Sequence, residues 1–272
     1  MGFKKHTLFL LSSLFFSLII NAQVSICSWN IMNLGKSKSD SELEFIAKTI
    51  NNYDIITIQE VVAGNGGAKA VSRLVSILNN KGTNWDYAIS DVTTSDNPSS
   101  RERYAFIWKP SKVTKIGNSW LEQNFQREID REPFMSTFDY KGSRFTIASF
   151  HAVPKKKNPE KEIKYFKYLP SLYPKLNIIF MGDFNCSQSN TVFNPLKNMG
   201  YKSILTNQKT SLRQKCLKQD CLASEYDNMF YFSKKVTVEK AGVENFYTQF
   251  VTLKEARKIS DHIPIYGIVL IK

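Results

Sequence analysis

Acid, amide and imidazole side chains recur in this sequence at the ends of apolar, strand-like runs. Four such runs, rich in Ile and Phe, end at Asn30, Glu60, His151 and the pair Asp183 and Asn185. Runs of this composition are typical of buried strands. Because polar groups that gather at strand ends form sites in open sheets, we expect these five side chains to share one site.

A further polar pair, Asp261 and His262, precedes a fifth apolar run, 263–271, which closes the sequence. The chain has only three His, and two of them, His151 and His262, adjoin these runs. Adjacent residues diverge in an extended chain, so Asp261 and His262 are expected to point to different sides. Two imidazoles with separate carboxylate partners indicate acid–base catalysis.

The oxygen-bearing side chains indicate a hard metal ion. Glu60 is a ligand suited to Mg²⁺ or Ca²⁺, and Asn30 offers an amide oxygen or a donor. Asp183 and Asn185, two apart on a predicted strand, should face one space while Phe184 packs the other way. An oxygen-rich set with imidazoles nearby fits metal-assisted hydrolysis of a phosphate ester.

Other catalytic designs fit the sequence poorly. It has no Gly-x-Ser-x-Gly elbow of a serine hydrolase, and Gly64–Gly67 lacks the Lys-Ser/Thr ending of a phosphate-binding loop. Cys and His are not grouped at zinc-ligand spacing. Metal-assisted phosphate chemistry is therefore the favoured interpretation.

Residues 1–22 have the pattern of a secretory signal peptide, since Lys4 and Lys5 precede the apolar stretch 7–20 and Ala22 closes the segment. An uncleaved anchor is the alternative, although the stretch is short for a bilayer. Removing the leader takes away two Lys and no acid, so the formal net charge falls from +13 to +11. A basic exported protein, secreted or periplasmic, suggests an anionic partner: nucleic acid, anionic lipid or acidic polysaccharide.

A basic run, Lys155 to Lys157, follows shortly after His151. Its place beside a candidate catalytic residue favours contact of Lys155 with an anionic substrate. A solvated surface is the alternative, and the residues alone leave both open.

Two of the four Cys, Cys216 and Cys221, flank a short polar loop. An exported chain permits a disulfide between them, with Cys186 as a rival partner for Cys221. Cys27 lies within the first apolar run and is expected to be a buried thiol.

Strand pairs joined by tight turns alternate with helices along the chain, which predicts a mixed α/β fold. The sequence after the leader has no linker, so residues 23–272 are expected to form one domain of two packed mixed β-sheets flanked by helices. The spacing of apolar residues predicts helices over 40–51, 71–82 and 158–172. The runs 104–108 and 113–116 are expected to form a hairpin.

Eight segments match, in order, the motifs of a known family: 28–30, 58–61, 101–110, 131–134, 149–154, 181–185, 225–228 and 260–264. Gly-Asp-Phe-Asn at 182–185 and Ser-Asp-His at 260–262 are the most specific. On these segments the chain resembles the endonuclease/exonuclease/phosphatase superfamily, and within it the secreted deoxyribonuclease I branch. The resemblance implies a four-layer α/β sandwich and a metal-dependent DNA endonuclease of low sequence specificity, with RNA not excluded as substrate.

The resemblance also implies a role for each matching residue. Glu60 would bind the catalytic ion, Mg²⁺ or else Ca²⁺ or Mn²⁺, with Asn30 and Asp261 close by. Asn30 would also face the substrate. Asp183 and Asn185 would orient the phosphate.

Two dyads are implied as general acid and base. His151 would pair with Glu102, and His262 would pair with Asp227. Arg131 would contact a backbone phosphate. The sequence pattern by itself does not single out Asp227.

The chain departs from the deoxyribonuclease I branch where that branch enters the minor groove of DNA. An Arg follows the metal-binding Glu by two residues there, and a Tyr precedes the Glu of the first dyad by two; here these positions are Val62 and Ser100. Phosphate contacts through 65–67 and 155–157 are the expected substitute. The branch's small disulfide loop before Arg131 has no Cys here.

Two other functions remain open. One is a sphingomyelinase-like phosphodiesterase or phosphomonoesterase of the same superfamily. A sphingomyelinase is expected to carry an exposed aromatic hairpin that contacts membranes. The candidate residues for such a hairpin are Phe246, Tyr247 and Phe250. The other is a catalytically inactive, basic nucleic-acid-binding protein. No protein partner and no stable membrane association are predicted once the leader is removed.

Overall fold

The computed structural model describes residues 23–272, so the predicted signal peptide at 1–22 lies outside the described residues. The described chain forms two six-stranded sheets, a separate two-stranded hairpin, and helices on the outer faces of the two sheets. The prediction of a four-layer α/β sandwich is confirmed.

The strands, in chain order, are β1 (Gln23–Leu34), β2 (Ile55–Val62), β3 (Asp86–Ile89), β4 (Glu102–Trp108), β5 (Thr114–Leu121), β6 (Phe134–Tyr140), β7 (Ser143–His151), β8 (Ile178–Asp183), β9 (Tyr201–Ser203), β10 (Leu212–Leu217), β11 (Asp220–Leu222), β12 (Asp227–Phe232), β13 (Val236–Val243) and β14 (Ile265–Ile271). The α-helices are α1 (Asp40–Ile50), α2 (Asn65–Asn79), α3 (Glu160–Ile163), α4 (Leu169–Leu172), α5 (Asn194–Asn198) and α6 (Leu253–Ile259). The first sheet has the order β13-β14-β1-β2-β4-β3, and the second has β5-β6-β7-β8-β12-β9.

Each sheet contains one parallel pair among antiparallel neighbours. β1 pairs with β2 in parallel in the first sheet, and β7 pairs with β8 in parallel in the second. The carboxyl ends of a parallel pair meet at one edge, where their antiparallel neighbours begin. Each sheet therefore presents several strand ends at one edge.

Three apolar clusters hold the layers together. The central cluster fills the space between the sheets and includes Tyr104, Phe106 and Phe138, all fully buried. The two outer clusters bury the inward faces of the helices against the sheets. Burial of this kind is the main favourable term in folding.

Helix α1 agrees with its predicted range and begins at a capping box. The Ser39 side chain accepts from the Glu42 amide, and the Glu42 carboxylate accepts from the Ser39 amide. Its apolar stripe, Leu43, Ile46 and Ala47 with Ile50, is buried as the spacing predicts.

Helix α2 begins at Asn65, six residues before its predicted start. The glycines at 64–67 suggest a loop, but they allow close packing instead. A Cβ on Gly67 would lie 2.0 Å from the carbonyl oxygen of Val62, so only Gly can bring the first turn against β2.

The predicted hairpin of 104–108 and 113–116 is wrong. β4 belongs to the first sheet and β5 to the second, so the chain crosses between sheets at this point. Val113, fully buried in the central cluster, lies on the crossing segment. A short turn sequence looks the same whether it joins two strands of one sheet or strands of two different sheets. It therefore cannot distinguish a hairpin from a crossing between sheets.

The predicted helix over 158–172 is broken into α3, a 3₁₀ turn at 166–168, and α4. Ile163, Phe166 and Leu169 recur every three residues, which is the period of a 3₁₀-helix and not of an α-helix. Pro170 lies in the first turn of α4, where its missing amide is tolerated.

The Cys216–Cys221 disulfide is present, with an S–S distance of 2.01 Å, and it joins β10 to β11. Cys27 and Cys186 are free and buried, so Cys186 does not compete for Cys221. Among residues 23–272, no helix has the length and apolar character needed to span a bilayer.

We expect Phe230→Ala to lower the free energy of unfolding by about 3–5 kcal/mol, because it empties a large, fully buried site. Phe230 stacks on Phe193 at 4.4 Å between ring centroids and meets Phe184 edge-on at 5.2 Å. Urea unfolding followed by circular dichroism measures the change. Leu217→Ala, at a side chain that is mostly exposed, is the control and should change stability by less than about 0.5 kcal/mol.

Candidate active site

The sheet topology gathers the sequence-predicted residues at one edge of the sandwich. His151 and Asp183 are register partners at the ends of the parallel pair β7 and β8, and Asp227 at the start of β12 pairs with Asp183. In the first sheet, Glu102 at the start of β4 pairs with the end of β2, close to Glu60. Polar groups far apart in sequence therefore meet where strands of both sheets end or begin.

Asp183 is the common contact of the site. Its Oδ2 accepts from Asn30 Nδ2 at 3.1 Å and lies 3.4 Å from His151 Nε2 and 3.6 Å from His262 Nε2. Both imidazoles therefore direct the same ring nitrogen to one carboxylate oxygen. This geometry unites residues from β1, from the ends of β7 and β8, and from the segment that precedes β14.

His262 forms a dyad with Asp227. Its Nδ1 lies 2.7 Å from Asp227 Oδ2, and that oxygen also accepts from Thr210 Oγ1 at 2.6 Å. A carboxylate can only accept, so Nδ1 carries the proton and Nε2 faces the site. The Asp227 carboxylate thus sets the orientation and tautomer of the imidazole.

His151 forms the second dyad with Glu102, whose Oε2 and Oε1 lie 2.9 Å and 3.1 Å from Nδ1. Glu102 is held in turn by Arg131, whose Nη1 donates to Oε2 at 2.9 Å. The fully buried Tyr104 hydroxyl accepts from the His151 amide at 3.2 Å. These contacts hold the second imidazole from both its ring and its backbone.

Electrostatics keeps both imidazoles readily protonated. Burial lowers the pKa of His262, but the carboxylates of Asp227 and Asp183 outweigh burial and hold that pKa well above its usual range. Burial also lowers the pKa of His151, yet the neighbouring carboxylates, Glu102 first, leave it raised. Burial raises the pKa of Asp183, but the two imidazoles, His262 first, outweigh burial and leave that pKa below its usual value, so the carboxyl is held ionised.

Glu60 lies in a strained position at a break in the strand register. Its φ is 61°, in the left-handed region that non-glycine residues rarely adopt, and the pairing of β2 with β4 shifts between Ile58 and Val61. Such strain costs on the order of 1–3 kcal/mol and accumulates at functional sites. The irregularity turns the Glu60 carboxylate toward Asn30, whose Nδ2 donates to it at 3.1 Å.

The donor set at this position fits a hard cation. Asn30 Oδ1 is buried and has no hydrogen-bond partner among the described residues. The same side-chain amide donates through Nδ2 to both Glu60 and Asp183. Amide and carboxylate oxygens are the ligands that Mg²⁺ and Ca²⁺ prefer. A buried acceptor without a partner is costly, and a metal ion would satisfy it.

A second acidic group also brings ligand atoms together. Asp183, Asp227 and His262 each place one within 4.8 Å of the others. Their closest atoms already bond one another in the dyad, however, so an ion there would have to displace those bonds. Glu60 also accepts hydrogen bonds, from Asn30 Nδ2 and the Asn33 amide, but Asn30 Oδ1 has no partner among the described residues. This free oxygen makes Asn30 and Glu60 the better match to a cation.

The structure places the remaining predicted residues less centrally. The Asp261 carboxylate accepts from Arg257 at 3.3 Å, whereas His262 bonds Asp227. The two adjacent side chains therefore point to different sides, as the sequence predicts. Lys155 lies on the surface and pairs with Glu160. Their roles at a metal or a substrate stay predictions.

Arg131 and Asn185 are buried beside the dyads. Two guanidinium nitrogens of Arg131 donate to Glu102 and to the Ala152 carbonyl, and Nε has no partner within residues 23–272. Asn185 donates its backbone amide to Asp183 at 2.8 Å and its side chain to Ala152 at 3.0 Å. Its φ of 47° shows that β8 has already ended, so strand alternation does not explain its direction.

Sequence reasoning missed a buried polar bridge between the two sheets. Gln59 Nε2 donates to Ser149 Oγ of the second sheet at 2.9 Å and to Ser28 Oγ at 3.2 Å. These residues directly precede, by one or two positions, Glu60, His151 and Asn30. The polar residues Ser28, Gln59 and Ser149 inside otherwise apolar runs were the available signal.

Thr210 was also missed, since it lies in a polar loop. Thr210→Val is expected to lower the free energy of unfolding by about 1–3 kcal/mol, because the buried Asp227 carboxylate and amide lose their hydroxyl partner. Urea unfolding measures the loss. Thr210→Ser keeps the hydroxyl and is the matched control; equal losses in both variants would contradict a role for that hydroxyl.

Comparison with known proteins agrees with this geometry. A model of the endonuclease/exonuclease/phosphatase family matches residues 27–262. Deoxyribonuclease gamma of Rattus norvegicus is 26% identical, over 94% of this chain and 88% of that protein. A deoxyribonuclease of Thioalkalivibrio sp. is 24% identical, over 90% and 70%.

Solved structures share the fold at lower identity. The human Nocturnin catalytic domain with bound sulfate superposes with a TM-score of 0.65 at 15% identity, over 93% of this chain and 96% of that chain. D. rerio TDP2 in complex with a single-strand DNA product gives 0.61 at 14%, over 91% and 99%.

Proposed function

We propose that this chain, which belongs to the endonuclease/exonuclease/phosphatase family, is an exported endonuclease that hydrolyses phosphodiester bonds of DNA with low sequence specificity. The observation that carries the proposal is the convergence of His151 Nε2 and His262 Nε2 on one oxygen of Asp183. Phosphodiester hydrolysis needs one proton acceptor and one proton donor at the same phosphate, and this pair supplies both.

The dyads define the proton transfers. One imidazole, in its neutral form, takes a proton from a water whose oxygen forms the new bond to phosphorus. The other imidazole, protonated, gives its proton to the leaving oxygen as the P–O ester bond breaks. Asp227 and Glu102 hold the two rings through Nδ1, so that Nε2 is the atom that exchanges protons in both.

Glu60 and Asn30 are the residues that we expect to hold a divalent cation, Mg²⁺ in preference to Ca²⁺ or Mn²⁺. Mg²⁺ is held by few carboxylates and retains water, which suits a site with one carboxylate and one amide. A bound cation supplies charge that stabilises the phosphoryl oxygens in the transition state. Asp183 and Asn185, linked by a 2.8 Å hydrogen bond, orient the substrate beside it.

DNA is the substrate class that the charge and the relatives support. The formal net charge, +13 for the whole sequence and +11 without the two Lys of residues 1–22, attracts phosphate backbones without regard to sequence. The curated relatives in rat and in Thioalkalivibrio are named deoxyribonucleases. Phosphate contacts position a nuclease but read no bases, which is the reason for low specificity.

Export is supported by the leader-like segment 1–22 and by the Cys216–Cys221 disulfide, since disulfides persist in oxidising compartments. A sphingomyelinase-like activity gains no support from the aromatic residues near 246–250. Phe246 is buried and packs on Trp29 at 5.2 Å, and Phe250 packs on Phe45 at 4.8 Å. Phe246 belongs to the core, and Tyr247 and Phe250 are partly buried against it, so these rings do not form an exposed aromatic hairpin.

Parallel assays of supercoiled plasmid, single-stranded DNA and RNA, each with Mg²⁺ or EDTA, test the proposal. We expect nicking of plasmid with Mg²⁺ and none with EDTA. Release of phosphate from p-nitrophenyl phosphate or of choline from sphingomyelin, without cleavage of any DNA, would contradict it. Binding of DNA without cleavage at any metal concentration would indicate an inactive binding protein instead.

A further inference from the structure

A cavity of about 400 Å³ opens directly beside the dyad residues and Glu60. Glu60, Glu102 and Arg131 form part of its wall, so it is continuous with the candidate active site. The rest of its wall comes from the end of β2 and the loop after it, from residues 99–101, from the segment 153–157, and from the single residues Asn33 and Asp130. Its volume lies within the range of pockets that bind small ligands.

The wall of this cavity is held in place without a ligand. Val62, on the wall, packs against Gly35, where a Cβ would lie only 2.7 Å from Val62 Cγ2. Arg103 ties the following loop down by donating to the Ala63 carbonyl at 2.9 Å and to the Ser90 carbonyl at 2.7 Å. The cavity is therefore a preformed concavity.

Small side chains keep the cavity open. Val62 and Ser100 both line it, and neither is long enough to project into the groove of a duplex. A concave surface next to the reaction centre accepts a group that protrudes from the substrate. In a nucleic acid the protruding group is a base that has left the stack.

The chemistry of the wall fits one nucleotide. The methyl groups of Val62 offer an apolar contact for the face of a base, and the Ser100 hydroxyl offers a donor and an acceptor for its edge. The Ser99 hydroxyl donates to Asn97 Oδ1 and therefore offers only an acceptor. Arg101 and Lys157 offer positive charge to a neighbouring phosphate, and with Arg131 they balance the three carboxylates of the wall, which are Glu60, Glu102 and Asp130. A purely apolar or purely acidic ligand would match only part of this wall.

We propose that this cavity binds one unpaired nucleotide of the strand next to the scissile phosphate, which makes single-stranded DNA the preferred substrate. The proposal rests on the proposed nuclease function and specifies its substrate. A base in a duplex must unpair and unstack before it can enter a pocket, and that cost is smallest in a single strand. The preference therefore follows from the shape of the cavity.

The test compares a single-stranded oligonucleotide with the same strand in a duplex. The wild-type protein is expected to cleave the single strand with a kcat/KM at least about tenfold higher. Val62→Phe, which fills the cavity without adding charge, is expected to lower this single-strand to duplex ratio about tenfold. Ser100→Tyr fills it from another element and should act in the same direction.

Val251→Phe is the matched control, because Val251 is 97% exposed and the substitution adds the same ring away from the cavity. It should leave the ratio unchanged. A wild-type ratio near one, or an unchanged ratio in both filled variants with intact unfolding curves, would overturn the proposal.

Hydrolysis of bis(p-nitrophenyl) phosphate separates this proposal from the proposed function. Cleavage of that small diester and of both DNA forms at similar rates would leave the nuclease function standing and remove the nucleotide subsite. A protein that cleaves neither DNA form nor the diester would fail at the proposed function itself.

Discussion

Replacing His262 by Asn is expected to slow DNA cleavage by about 10²–10⁴-fold, the usual contribution of a general acid or base. His262 brings Nε2 to the centre of the site while Nδ1 is held 2.7 Å from Asp227. Asn keeps a donor for that carboxylate but has no second nitrogen to exchange a proton. The rate of plasmid nicking at saturating Mg²⁺ measures the loss.

The same substitution should leave the fold intact. His262→Ala, in contrast, leaves the buried Asp227 carboxylate without its ring partner, at a cost of about 1–3 kcal/mol. Comparing the two variants by urea unfolding separates loss of chemistry from loss of structure. Wild-type nicking by a folded His262→Asn protein would contradict the assignment of acid–base catalysis to this dyad.

Removing the metal should abolish cleavage altogether, and Glu60→Gln should weaken the metal site. EDTA is expected to reduce nicking to background and Mg²⁺ to restore it. In Glu60→Gln, the Mg²⁺ concentration for half-maximal rate is expected to rise by about 10–100-fold or more, the range seen when even outer partners of a metal are changed. An amide keeps one oxygen but loses the negative charge that attracts the ion.

A binding readout makes this prediction independent of activity. Mg²⁺ is expected to raise the melting temperature of the wild-type protein, because a ligand that binds only the folded state stabilises it. Glu60→Gln should lose that rise at the same Mg²⁺ concentration. Glu239→Gln removes an equal charge at an exposed position and should retain it; the reverse result would place the ion elsewhere.

Strand ends were readable from the sequence because two physical signals coincide there. A buried strand needs a run of Ile, Val or Phe, and the residue that follows it is free of that requirement. A polar residue in that place, such as His151 at the end of β7 or Asp183 at the end of β8, therefore stands out. The expectation that Asn30 and Glu60 also end strands is wrong, because both lie inside β1 and β2, next to shifts in the strand register. The parallel pairs that place these ends at one edge could be expected only in outline.

The partners of the imidazoles were not readable in the same way. Glu102 and Asp227 begin strands, and an acid at the start of a strand is ordinary in a turn. Only the resemblance to a family indicated them, and the structure now brings each within hydrogen-bond distance of its ring. Thr210, far from any periodic segment, gave no local signal at all.

Irregular backbone accounts for the other differences. The three-residue spacing of Ile163, Phe166 and Leu169 predicts a helix but not its type, because residues three apart lie on one face of both an α-helix and a 3₁₀-helix. The glycines before α2 imitate a loop, although their lack of a side chain serves close packing. The periodicity of apolar residues predicts regular helices and strands, but it does not predict 3₁₀ turns or the conformation of irregular segments.

His262 and strand β14 come last in chain order among the parts of the site, and β14 pairs with the first strand, β1. A polypeptide that still lacks these last residues therefore has neither the second dyad nor one of the two strands that pair with β1. On the proposed function, such an incomplete chain cannot damage the genome of the cell that makes it. Nuclease activity is then expected only after the last strand has been made and has paired with β1. Deletion of β14 should abolish that activity.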